Sequence, residues 1–302
     1  MAEWIDLIDP TPDELRAKLP RTVQEPALDL LFAPSQHADE SRPTLQSHGD
    51  YIFGIFLVAV AVPNEDRLFY QEIDVVLTHD VLLTVSKTPE GEQPFDPRPI
   101  REACRPDDNG GMMLYRLVND IAERYLDLVD DLDGEIDQLE DSVETAPAAQ
   151  VRSRLSELRH DLLHIRRTLA PTRDAVRRVV DNVVEVSSGA EVFPHEVEVA
   201  FNTVYDKLLR AFDGLELSRD LIASVRDYLQ TKIANDQNEV VKKLTVIASV
   251  LLLPTFIVGL YGQNFRHHFP ELGWQWGYAW SWGLIISTTA AQLWFFRRKR
   301  WI

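Results

Sequence analysis

The chain has 302 residues, 45% hydrophobic and 26% charged, with a formal net charge of −17 and a single cysteine, Cys104. That length suits one large domain or two ordinary ones, the mean hydropathy of −0.18 leaves any membrane-embedded part a minority, and one cysteine excludes an intrachain disulfide framework. From Lys242 onward seven Lys/Arg face one acid, Glu271, a charge of +6, while everything before it carries −23; so acidic a domain is unsuited to nucleic-acid phosphates and compatible with cations.

The opening MAEWIDLIDP has neither a basic region nor an apolar core and reads as no signal peptide. Thr11 and Glu14 form a capping-box pattern at the start of a helix. Tyr51–Val62 and Glu72–Val85 are β-rich, the second a hairpin turning at His79–Asp80. Gln93–Pro99 reads as a Pro-rich linker. From Met112 apolar residues recur at helical spacing, with acids between them as far as Asp141. Such a run reads first as a solvated face and second as a device that draws cations toward a pore. Pro147 breaks the pattern, and a second long helix follows, with Pro171 as a place to bend. His160 and His164 stand one helical turn apart, but the surrounding arginines would repel a metal. After the loop SSGAEVFP, a third helix starts near His195 and meets no proline before Pro254. It would reach roughly 90 Å at 1.5 Å per residue. The chain lacks GxxxxGK[ST], HExxH, CxxC and GxSxG, so neither a nucleotide site nor an enzyme site is expected.

Leu244–Phe265 is a run of 22 residues without a charge, and Leu272–Phe296 is a second, of 25. About 20 apolar residues cross a bilayer. The second run opens with Trp274, Trp276, Tyr278, Trp280 and Trp282, which suit an interfacial belt. Lys242 and Lys243 precede the first run, and Arg297, Arg298, Lys299 and Arg300 follow the second. The positive-inside rule then puts both termini in the cytoplasm of a two-span protein of the inner or plasma membrane, with residues 264–273 outside. The expected division is an α/β domain (1–110), long acidic and basic helices (111–190), a stalk helix (191–243), a first span (244–265), an outer loop (266–273), a second span (274–296) and a basic tail (297–302).

The first span ends in YGQNF, Tyr261–Phe265, inside NEVVKKLTVIASVLLLPTFIVGLYGQNF, and PELGW follows. With WIDLIDPTPDEL, EIDVVLTHDVLLTV, YRLVNDIAERYLDLVDDLDGEIDQLED and LRHDLLHIRRTLAPTRDAV, the whole chain resembles the CorA family of magnesium and cobalt channels. The resemblance implies a CorA-like fold: an α/β cytoplasmic domain, a long stalk helix and a two-helix transmembrane hairpin. It implies a homopentamer in the lipid bilayer that passes Mg²⁺, with Co²⁺ or Ni²⁺ as further passengers, and uses no cofactor. Gly262, Gln263 and Asn264 then sit at the outer mouth, where an amide ring can hold a hydrated ion. Glu271 would gather cations there, and Asp227 matches an acid that binds regulatory metal. Counting back along one face of the first span gives the expected pore lining: Gly259, Thr255, Leu252, Ala248, Thr245, Val241 and Asn238. Leu252 with Val241 or Leu244 forms a hydrophobic constriction in that register. The sequence departs from the family pattern at Gln263 and Val241, both usually Met, and at Pro254, one position late. Histidine favours softer metals, so His267 and His268 in the outer loop form a candidate metal or pH site. Together with Gln263 they keep open a zinc transporter of the ZntB kind, proton-coupled or not; a non-conducting sensor or scaffold is the remaining alternative.

Overall fold

The computed structural model describes residues 2–20, 23–33, 42–61, 68–187, 191–263 and 273–301. The elements in chain order are β1 (Glu3–Ile8), α1 (Pro12–Lys18), α2 (Glu25–Phe32), β2 (Thr44–Ser47), β3 (Ile52–Ala61), β4 (Leu68–Leu77), β5 (Val81–Lys87), α3 (Arg98–Glu102), α4 (Gly110–Ser142), α5 (Ala148–Val180), α6 (His195–Tyr261) and α7 (Gly277–Arg298). They form two compact units, Met1–Val225 and Arg226–Ile302.

The first unit holds a five-stranded sheet in the order β1-β5-β4-β3-β2. β2, β3, β4 and β5 pair antiparallel, and β1 joins the edge parallel to β5. The β4–β5 turn lies at His79–Asp80, closed by Thr78 N–H donating to Val81 O at 2.9 Å. Side chains alternate across a strand, and both faces are covered. One face buries Tyr51, Phe53, Ile55, Val76, Leu83 and Val85 beneath Leu15 of α1 and Ala27 and Leu31 of α2. Thr11 caps α1 with both bonds of the capping box. On the opposite face Tyr125 of α4 donates to Leu57 O at 3.4 Å. β1 is fixed by a relay in which Trp4 Nε1–H donates to Thr84 Oγ1 at 2.9 Å and Thr84 donates to Asp6 at 2.7 Å.

The segment read as a linker is pinned instead. Phe95 is buried and its N–H donates to Gln71 Oε1 at 2.5 Å, while Arg124 stacks on its ring. α4 carries the first long helical pattern, and Pro147 separates it from α5. The acid run is only partly solvated: Asp133 accepts from Ser218 of α6, and Glu135 pairs with Arg154 of α5. Lys207 of α6 reaches Asn119 and Glu123 of α4. His164 is half-buried with its ring 4.9 Å from that of Tyr70, while His160 is exposed.

One polar cluster lies inside the sheet on the α2 side. Glu72 and Lys87 are direct cross-strand partners. Lys87 Nζ stands 2.6 Å from Glu72, 2.7 Å from Asp74 and 2.7 Å from Leu30 O in α2. All three charged residues are buried, Asp74 completely.

Candidate functional site

The candidate site lies on the second unit, where α6 and α7 meet. α6 contains an 18-residue window of mean hydropathy 2.2, long and apolar enough to cross a membrane, and it is the one helix among the described residues that is. α7 has 22 residues but is rich in Trp, Ser, Gly and Thr, which hold its mean hydropathy down.

Two faces of α6 are distinct. Val246 and Ile257 are buried, and Ser249, Val250, Leu253 and Pro254 between them are half-buried. Gln292 of α7 donates to Ser249 O at 3.2 Å, so this is the face that α7 covers. With 3.6 residues per turn, the stripe Asn238, Val241, Thr245, Ala248, Leu252, Thr255 and Gly259 falls on the other side of the helix. All seven are exposed in the single chain, Val241 at 58% and Leu252 at 71%. Thr245 and Thr255 donate to Val241 O and Leu251 O, at 2.8 and 2.7 Å. Their protons are thus committed to the helix, and what they turn outward is the acceptor side of the oxygen. The stripe reads polar, apolar, polar, small, apolar, polar, small toward the C-terminus of α6.

α6 ends at Tyr261, immediately before Gly262 and Gln263, both exposed. Gly262 N–H donates to Val258 O at 2.9 Å, and a Cβ on Gly262 would lie 3.1 Å from that same oxygen. A helix C-terminus presents unpaired carbonyls and partial negative charge, which favour a cation. Asn264, His267, His268 and Glu271 lie outside the described residues. Asp227 is exposed and pairs with Arg226 at 3.2 Å. Among the described residues no three His, Cys, Asp or Glu side chains gather closely enough to hold a metal. The structure therefore aligns the seven stripe residues and leads them to Gly262 and Gln263, and it pairs Asp227 with Arg226, outside any metal-sized cluster of acids among the described residues. Sequence reading missed Ser249 and Gln292, whose bond fixes which side of α6 faces its neighbour. The signal was there: Gln292 is the one polar residue between Ala290 and Phe296.

Residues 2–298 match the family model described as CorA-like Mg2+ transporter protein. The cobalt/magnesium transport protein CorA of Thermotoga maritima is 28% identical over 269 residues, 86% of this chain and 73% of that protein. The complete structure of the CorA magnesium transporter from Methanocaldococcus jannaschii superposes with a TM-score of 0.76 at 20% identity, over 99% of this chain and 91% of that one. The ZntB cytoplasmic domain from Vibrio parahaemolyticus gives 0.55 at 16% identity, over 77% of this chain and 88% of that one. At those identities the two structures speak for the fold: an α/β domain followed by long helices. With nearly its whole length matched, the chain is a membrane transporter and not an enzyme, and it belongs to the CorA-like Mg2+ transporter family.

Proposed function

We propose that this protein is one subunit of a channel that admits hydrated divalent cations, Mg²⁺ foremost and Co²⁺ or Ni²⁺ as further passengers. The observation that carries the reading is the stripe from Asn238 to Gly259, exposed on the side of α6 away from α7 and ending at Gly262. In this reading α6 lines a central pore in a homopentamer and α7 forms an outer ring. Both termini lie in the cytoplasm, α6 and α7 are the two spans, and Asn264 contributes an amide oxygen to the outer mouth. Neutral oxygens suit Mg²⁺, which gives up its water shell reluctantly. They hold the hydrated ion without binding it too tightly for release. Leu252 and Val241 close the pore by dewetting. Metal bound at Asp227 between subunits favours the closed state, and Glu271 concentrates cations outside. An inside-negative potential of 100 mV supplies about 4.6 kcal/mol per divalent ion, twice the single-charge value, so no nucleotide is required.

The test is metal flux into liposomes under an imposed inside-negative potential, with Mg²⁺, Co²⁺ and Zn²⁺ compared. Mg²⁺ flux that Asn264→Ala abolishes is the expected result. Zn²⁺ flux without Mg²⁺ flux would instead assign the protein to zinc transport, with Gln263, His267 and His268 as the differences responsible. Absence of flux for every ion would leave a membrane sensor or scaffold.

A further inference from the structure

We propose that Glu72, Asp74 and Lys87 form a proton latch that holds α2 against the sheet and loosens as pH rises through neutrality. Two carboxylates and one ammonium lie together in a buried site, so the charges balance only when one proton is also bound. A buried, uncompensated charge is costly. Lys87 offers three donors; it donates to Glu72 and to the Leu30 carbonyl of α2, and its charge stands 2.7 Å from Asp74. The latch thus ends on the covering helix itself.

The proton belongs on Asp74. Its side chain is fully buried, and neither of its oxygens accepts an aligned hydrogen bond among the described residues. Its contact with Lys87 is charge on charge. Burial pushes its carboxyl up to about 7 against the pull of Lys87, with Glu72 close enough to repel it and to share the proton. Burial also works against the charge on Lys87, but Asp74 and Glu72 outweigh it and hold the ammonium above its usual value. Among the described residues the surroundings add no further compensation. β3 places Ile55 opposite Asp74 and Leu57 opposite Glu72, and β5 places Val85 beside them. Among the described side chains, α2 carries Asp29, and α1 carries Asp13, Glu14, Arg16 and Lys18. Glu14 is bound to Thr11, and Arg16 lies over the Phe32 ring. The charges acting on Asp74 are those of Lys87 and Glu72.

Loss of the proton leaves a net negative charge under α2. Water has to enter to solvate it, and α2 is an eight-residue helix whose N-cap, Gln24, makes no side-chain cap bond. The sign follows from linkage. Below the ordinary carboxylate range, docked and open forms both hold the proton. Between that range and about 7 only the docked form holds it, so rising pH favours opening. Above about 7 both have released it and the dependence ends.

Hydrogen–deuterium exchange on the full-length protein in nanodiscs, at pH 6 and pH 8, tests this once intrinsic exchange is corrected for. The opening of α2 is expected to rise about tenfold between the two, as one-proton linkage requires. Amides of α4 serve as the internal reference. Asp74→Asn, which stays neutral, should abolish the step. Glu72→Gln removes the repelling charge, so it should move the step to lower pH and shrink it between pH 6 and pH 8. It keeps the test alive if Asp74→Asn does not fold. Equal α2 protection at both pH values in the unmodified protein, or an unaltered step in either variant, would overturn the latch.

Discussion

Gly111 occupies a position that no side chain can share with its neighbours. A Cβ there would lie 2.1 Å from Val192 O, and one on the adjacent Gly110 would lie 2.2 Å from Thr78 O. Asn109 locks the same junction: its Oδ1 accepts from Met112 N–H at 2.9 Å and its Nδ2 donates to Val192 O at 3.1 Å. The two glycines therefore let α4 start in contact with both the β4–β5 turn and the segment before α6. Gly111→Ala should destabilise the first unit by about 1–3 kcal/mol, the usual cost of overpacking. Gly134, in the same helix, has nothing within 4 Å of its Cβ position. Gly134→Ala should stabilise by about 1 kcal/mol, because glycine is a poor helix former. Opposite shifts of the thermal midpoint in the purified protein would verify both; a fall with Gly134→Ala would mean that its neighbourhood is filled in the assembly. Leu252 belongs to the same scale. If it closes a pore by excluding water, Leu252→Asn should wet the constriction and raise basal Mg²⁺ flux severalfold in liposomes. Unchanged flux would remove Leu252 from the gate.

At the scale of elements, legibility followed how local the cause was. The capping box at Thr11, the turn at His79–Asp80 and the start of α6 near His195 rest on neighbours within a few residues, and the sequence analysis located all three. β1 escaped it. EWIDLI is six residues long, and its strand character depends on pairing with β5, nearly eighty positions away. The linker reading of Gln93–Pro99 failed for a related reason. Prolines suppress periodicity, and the buried ring of Phe95 and its bond to Gln71 are tertiary facts. The stripe on α6 was legible because helical periodicity alone places residues on one face. Which face meets α7 was not legible, since that depends on Gln292 reaching Ser249. The same contrast applies to the spans. α6 has the hydropathy of a span, whereas α7 depends on an aromatic opening, Trp276 to Trp282, and a basic end in which Arg298 lies over Trp294. The two-span reading predicts that, in a Cys104→Ser background, a cysteine replacing His267 reacts with an impermeant maleimide from outside intact cells. One replacing Trp301 should react only after lysis. Labelling of Trp301→Cys from outside would show that α7 does not return the chain to the cytoplasm.

The whole molecule is divided by charge, +6 from Lys242 onward and −23 before it. Such a division suits a protein whose acidic part faces water and whose basic flanks face the cytoplasmic side of a membrane. It also bears on assembly. A chain alone leaves Val240, Val241, Leu244, Ile247, Leu251 and Leu252 more than half exposed. These residues surround the helix outside the strip covered by α7, so lipid can cover some of them, but lipid gives no reason for Thr245 and Thr255 to share a face. Polar groups in a membrane are tolerated where they line a water-filled cavity or face another helix. One helix cannot enclose a cavity, and several copies of α6 around an axis can. Native mass spectrometry of the detergent-solubilised protein should therefore give a closed oligomer, five copies in the proposed arrangement. Single cysteines at Thr245 or Thr255 should cross-link between copies in that background, because those positions face the shared axis. Cysteines at Val246 or Ile257 should not, because α7 covers them within one chain. A monomer, or cross-links that ignore this division of faces, would leave the stripe without a pore to line, and α6 would then be an anchor rather than a conduction path.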